Sequence, residues 1–310
     1  MSAAAGYRTA GPDDLPSLRA LWAGAFAGTD VTALWATDPG RFGRTFVAVR
    51  DERVVAAVHY LPRRIRAAEG AVDLVGGVAN VATHPPERGR GHARRLLDRA
   101  VTAMTADGCA WALLFTGTPA VYRSSGFRTF RLGYTSGRPA PPSVAAPQGW
   151  TVRPGSWADW PALAALHRGF NAHRPLSTVR GDHDWRHRVP TWYAPPAELL
   201  VAHRHGEPAG YLVRERSAGL VRVLEVAGGV DALRVLFGAV AATARVDGAE
   251  QCVARLPADP VVRTALPWLL RDPLPEVDET GMVRPLRADA ARLAATTGAP
   301  GAFHWPGDYL

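Results

Sequence analysis

Apolar and polar residues alternate along this chain with two distinct periods. From Phe46 to Ala57 apolar runs flank the polar Arg50-Asp51-Glu52-Arg53, which predicts a strand, a tight turn and a second strand. Over Asp14–Gly24 the leucines fall at helical spacing behind a polar turn. Residues 78 to 97 read as an apolar strand, a turn, a glycine-rich loop and an Arg-rich amphipathic helix. Much of this succession returns in the second half. Asp159–Gly169 repeats the helical stretch, and Leu200–Tyr211 repeats the hairpin. Asp107-Gly108 and Asp247-Gly248 each close a helix and open a strand carrying a cysteine, and Thr118–Arg123 aligns with Asp259–Thr264. Three matches in the same order predict two copies of one α/β fold, each built on a mixed α+β sheet. The expected division is a first domain over 1–137, a Pro-rich linker over 138–149, a second domain over 150–285 and a tail over 286–310.

The copies differ where the first is richest in chemistry. The loop Arg88-Gly89-Arg90-Gly91-His92-Ala93 has glycines that let the backbone curl around a ligand, and the helix behind it aims its free amides at the same point. In the second copy the strand Leu220–Ala227 runs through Gly228-Gly229 straight into a helix near Asp231, and Arg263 stands where the first copy has Tyr122. One ligand-binding domain and one degenerate copy are therefore expected.

Arg88-x-x-Gly91-x-Ala93 resembles the pyrophosphate-binding Arg/Gln-x-x-Gly-x-Gly/Ala signature of the GCN5-related N-acetyltransferases (GNAT), and Tyr122–Phe127 resembles their last motif, Tyr-x-x-x-Gly-Phe. The element order of the first half is also that of the family. The resemblance implies two tandem GNAT folds, the second degenerate, with acetyl-CoA as co-substrate. The cofactor would enter where the fourth and fifth strands, about Val75–Thr83 and Ala110–Thr116, splay apart. It implies backbone contacts to pantetheine from Val81, Ala82 and Thr83, pyrophosphate held over Arg88, Gly89, Arg90, Gly91, His92 and Ala93, and Gly117 and Thr118 close by. It also implies Tyr122 as the acid that protonates the leaving thiolate. His92 reads as an amide donor rather than a catalytic imidazole, and Tyr122 has the alternative reading of a packing aromatic on a short helix.

The double layout is similar to the enhanced intracellular survival (Eis) family, without the third domain found there. In that family the terminal carboxylate serves as base, which implies Leu310 here, with Asp308 in reserve. A base is needed because an amine of pKa about 10 is almost wholly protonated at neutral pH. The predicted fourth strand offers none, and Asp73 and Glu69 read as turn residues.

Composition narrows the alternatives. Hydrophobic residues make up 47 % of the 310, in the range of globular proteins, and no apolar run has membrane-spanning length. With no secretory signal in view, a cytoplasmic protein is expected. All 36 basic residues are Arg, which excludes a Walker A lysine and Schiff-base chemistry. The net charge of +8 is scattered, which argues against a nucleic-acid footprint and suits a polyanion such as CoA. Cys109 and Cys252 form neither a disulfide framework nor a zinc site. Asp182, His183, Asp184 and His187 could be drawn as a metal site but read as a solvated loop, so no metal is expected. Trp22, Phe26, Trp35 and Phe42 belong either to an acceptor wall or to the core. The expected reaction is acetyl transfer to a primary amine of a small molecule or peptide, with polyamines and aminoglycosides favoured by analogy. A non-catalytic acyl-CoA sensor and a transferase for longer acyl-CoA are the alternatives. A homo-oligomer is compatible with all three.

Overall fold

The computed structural model of the protein describes residues 4–26, 30–141 and 147–309. The first half runs β1 (Gly6–Thr9), α1 (Leu15–Ala25), α2 (Val31–Ala36), β2 (Thr45–Arg50), β3 (Arg53–Arg66), β4 (Val72–Thr83), α3 (His92–Ala106), β5 (Trp111–Phe115), α4 (Ala120–Arg123) and β6 (Arg128–Thr129). Then comes β7 (Leu132–Pro139). The second half runs β8 (Trp150–Pro154), α5 (Trp160–Phe170), α6 (Val189–Trp192), β9 (Glu198–Arg204), β10 (Glu207–Ser217), β11 (Leu220–Gly228), α7 (Val230–Val246), β12 (Gln251–Ala254) and α8 (Pro260–Ala265). It ends with β13 (Leu270–Asp278), β14 (Gly281–Pro285) and α9 (Ala290–Thr297).

These strands form two seven-stranded sheets, ordered β1-β2-β3-β4-β5-β14-β6 and β8-β9-β10-β11-β12-β7-β13. The duplication is complete down to strand order, with one exchange. β7, from the first half, sits in the second sheet between β12 and β13, and β14, from the second half, sits in the first sheet between β5 and β6. The expected domain boundary at 137 thus falls inside a strand, and 281–285 pair with the first domain. The residue pattern of a single strand does not show which sheet it joins. Within the expected linker, 138 and 139 extend β7, while 142–146 lie outside the described residues.

Each sheet packs a long helix on one face. α3 lays Leu96, Leu97, Ala100 and Met104 onto Val58, Tyr60, Val78 and Ala112, and α7 does the same in the second half with Leu233, Leu236, Phe237 and Val240. The helix α3 lies so close to β4 that a Cβ on Gly76 would meet the Met104 sulfur at 2.5 Å. On the other face of the first sheet, α1 and α2 bury Leu18, Leu21, Trp22 and Trp35.

β4 and β5 run parallel and pair only from Val75–Trp111 to Gly77–Leu113. Beyond that point they part. β4 also carries a bulge: His59 of β3 faces Ala79 and Ala57 faces Ala82, so two residues of β4 oppose one of β3. Asn80, with φ +50°, takes the left-handed conformation there, and the Trp22 indole N–H donates to its carbonyl at 3.2 Å.

The second sheet parts in the same way, since β11 and β12 pair only from Leu220–Gln251 to Val223–Ala254. Its gap is filled by the tail. Phe303 and Trp305 pack among Val223, Val226, Ala254 and Leu256, and the Trp305 indole N–H donates to Asn171 Oδ1 at 3.0 Å. The tail expected to follow the domains is thus shared between cores: Phe303 and Trp305 join the second, while Leu293 packs with Val75, Trp111 and Leu113 of the first.

Candidate active site

In the first sheet the parting of β4 and β5 opens a cavity of about 1000 Å³. Residues 78–83 of β4 form one wall, 114–118 the other, and the loop from Glu87 to Arg94 closes one end. Gly89 and Gly91 both have φ +77°, and Gly91 is the residue from which α3 starts. The two left-handed glycines turn the chain so that the first-turn amides of α3, which have no partners within the helix, face the cavity mouth. Beneath the loop His92 is buried and held at both nitrogens, by the Tyr7 hydroxyl at 2.7 Å and by Glu87 at 3.3 Å. Glu87 also accepts from Arg50 at 2.9 Å. This arrangement leaves His92 its amide and no free imidazole nitrogen for catalysis.

Of the residues expected from sequence, Val81, Ala82, Thr83, Arg88, Gly89, Gly91, His92, Ala93, Gly117, Thr118 and Tyr122 all line this cavity, whereas Arg90 does not. Arg90 instead lies 3.5 Å from Glu87. Tyr122 is buried, and burial pushes its phenol above the ordinary value, so the hydroxyl keeps its proton at neutral pH. Leu310 lies outside the described residues; Tyr309 before it stacks on Phe115 at 4.1 Å, and its carbonyl accepts from Arg188 at 2.7 Å.

Asp308, the reserve candidate for the base, faces elsewhere. It is fully buried against Arg180 at 2.8 Å and Arg63 at 3.6 Å. Burial alone would raise its carboxyl, but the two guanidinium groups hold it well below the usual carboxylate range. It is a structural counter-ion, tied through Arg180 to Glu225, which also accepts from Tyr193 and Tyr211. Asp73 accepts from the Trp111 indole and Arg292, and Glu69 sits in a turn at φ +67°. Residues 184–188, read as a solvated loop, form a π-helical turn because Trp185 is buried and Asp184 pairs with Arg63. No group of three or more His, Cys, Asp or Glu that could hold a metal occurs among the described residues.

At the far end of the cavity the sequence reading reached Phe26 and Trp35, offered there as acceptor wall or core, but not the other lining residues. Phe26, Val31, Leu34, Trp35 and Leu61 line it from the first half, Arg188 and Trp192 from the second, and His59 at its base. Trp22 and Phe42 are packing residues beside it. Nothing local marks Arg188 or Trp192, whose place depends on how the two halves meet.

Residues 6–130 match the family model described as an acetyltransferase (GNAT) domain. No curated protein matches the chain. Among solved structures, a GCN5-related N-acetyltransferase from Kribbella flavida superposes with a TM-score of 0.73 at 20% identity, covering 95% of this chain and 74% of that one. Eis1 from Mycobacterium abscessus gives 0.66 at 17% identity, with 91% and 73% covered. Saccharomyces cerevisiae N-myristoyltransferase with bound myristoyl-CoA gives 0.59 at 11%, with 93% and 80% covered. The first half is thus a GNAT domain, and the whole chain has a tandem GNAT fold like that of Eis. The coarse activity that accompanies this domain is acyl transfer from an acyl-CoA.

Proposed function

We propose that the protein moves an acetyl group from acetyl-CoA to a primary amine by direct attack, with Tyr122 protonating the departing sulfur. The observation that carries this reading is the convergence of three features on one cavity. They are the parted strands β4 and β5, the left-handed glycine loop at the start of α3, and a buried, protonated Tyr122. The pyrophosphate would lie on the loop amides with Arg88 adding charge, and pantetheine would pair along Val81, Ala82 and Thr83.

The far end favours an acceptor with an apolar body, for its walls are Phe26, Leu34, Trp35, Leu61 and Trp192. Among the described lining residues the one carboxylate is Glu87, already engaged by Arg50 and His92. Among the described lining residues a polyamine finds no free counter-charge, which favours an acceptor with a single amine.

Titration calorimetry with acetyl-CoA, followed by thiol release with a panel of primary amines, tests the proposal. One site per chain is expected, since the second gap is filled by Phe303 and Trp305. Tyr122→Phe should bind acetyl-CoA normally while kcat falls about 100-fold. Tight binding without thiol release from any amine would instead assign a sensor, and release with only longer acyl-CoA would reassign the donor.

A further inference from the structure

We propose that His59 is the general base of the transfer, its Nε2 taking the proton of the attacking nitrogen at the far end of the cavity; this rests on the acyl-transfer reading above. β4 places no carboxylate along 78–83. β3 fills that need from the neighbouring strand, because His59 pairs directly with Ala79, one residue before the bulge. The imidazole is 3 % exposed and lines the cavity.

The hydrogen bonds around it select the tautomer. Thr45 Oγ1 donates to the Arg41 carbonyl at 2.6 Å and accepts the Trp35 indole N–H at 2.9 Å. Its one proton is committed, so its 3.1 Å contact with His59 Nδ1 has the imidazole as donor. Nε2 therefore carries the lone pair. The nearest charged oxygen is Asp38 Oδ2, 3.7 Å from Nε2. Asp38 Oδ1 is held by the Gly40 amide at 2.9 Å and by Arg44 at 2.7 Å, while Oδ2 has no hydrogen-bond partner. An imidazolium formed at Nε2 would find a counter-ion beside the same nitrogen, while Thr45 on Nδ1 holds the ring.

The charged groups facing His59 are Asp38 and Arg44 from the α2–β2 connection and Arg188 from the second half. Burial pushes the imidazole down to about 4, with Asp38 opposing and Arg188 and Arg44 adding to the fall. The ring is neutral at physiological pH and so available to accept a proton. A base this weak acts as the C–N bond forms, when the nitrogen becomes far more acidic than the free amine. The nitrogen lone pair bonds to the thioester carbon, the carbonyl pair moves onto oxygen, and the N–H proton passes to His59 Nε2. On collapse the C–S bond breaks, sulfur keeps the pair, and Tyr122 supplies its proton. Solvent returns one proton from His59 to Tyr122, giving amide and CoA thiol.

The test compares full-length wild type, His59→Gln and Thr45→Val with acetyl-CoA and two acceptor probes, phenethylamine and hydroxylamine. Phenethylamine needs a base; the weakly basic hydroxylamine forms an adduct that loses its proton readily to water. His59→Gln should lower kcat for phenethylamine about 100-fold and for hydroxylamine less than ~5-fold, with the KM for acetyl-CoA unchanged. Thr45→Val should show the same selectivity at smaller size. Equal losses with both probes, or none, overturn the assignment. So does an amine-selective loss on deleting Leu310 while His59 is intact, which would give the role to the tail. Thiol release by wild type with neither probe defeats the acyl-transfer reading and the base together. Should His59→Gln fail to fold, nitrogen NMR of the wild-type imidazole decides: a proton on Nδ1 is expected, and one on Nε2 overturns the proposal.

Discussion

Gly91 has space around it, since nothing lies within 4 Å of where a Cβ would stand, yet its φ of +77° is one that L side chains rarely adopt. Gly91→Ala is therefore expected to strain the backbone by about 1 kcal/mol. The greater effect should fall on acetyl-CoA affinity, as the start of α3 relaxes away from the cavity. Calorimetry and thermal unfolding on the same variant separate the two, and unchanged affinity would remove the loop from the pyrophosphate site. The left-handed turn of this loop and its place ahead of α3 were legible in the sequence because they are local: Arg88, Gly89 and Gly91 are close neighbours in the chain. His59 was not legible. It lies in an apolar run on β3, and its function follows from Thr45 and Asp38, which tertiary structure brings beside it. Arg90, taken from the same motif, does not line the cavity; its guanidinium lies 3.5 Å from Glu87, which leaves it the backbone amide as its means of contact.

Among the elements, β7 and β14 matter most for how the halves depend on each other. β14 places Met282 fully buried in the core under α3 and Val283 opposite Leu113 of β5. Gly281 lies under Phe130, where a Cβ would collide with the ring. A chain cut after residue 131 keeps β1 to β6 but leaves β5 with an open edge and β6 with no strand to pair. That fragment should lack a cooperative unfolding transition, as followed by circular dichroism, whereas the full chain should show one. A fragment that unfolds cooperatively and binds acetyl-CoA would show the exchanged strand to be dispensable. The repeat itself was readable, since α1 and α5, the two hairpins and the Asp-Gly turns recur in order. The exchange was not, because nothing in the residue pattern of a single strand says which of two neighbouring sheets it joins.

Across the whole molecule, burial keeps several histidines neutral, and this sets the response to acid. Burial pushes His167 down to about 3 and His59 to about 4, and it also lowers His304. In the unfolded chain these groups titrate near 6.5. Their contribution is therefore complete above about pH 6.5 and declines as the pH falls toward the folded values, because the unfolded state takes up the protons first. The slope is about 1.4 kcal/mol per pH unit for each group. Glu225 and Asp308, held low by Arg180, act in the same sense below the ordinary carboxylate range. The unfolding temperature should start to fall between pH 7 and 5, before carboxylates titrate. A flat profile down to pH 5 would mean that the buried imidazoles are charged in the folded protein.

The reciprocal exchange of β7 and β14 also has a meaning for descent. A duplicated copy that has lost its ligand loop is ordinarily free to decay, shorten or disappear. Here the second copy supplies the strand next to β5 and places Arg188 and Trp192 in the wall of the cavity. Neither half can be discarded, shuffled or replaced alone without opening the other. The strands of both copies are therefore held to the integrity of one cavity.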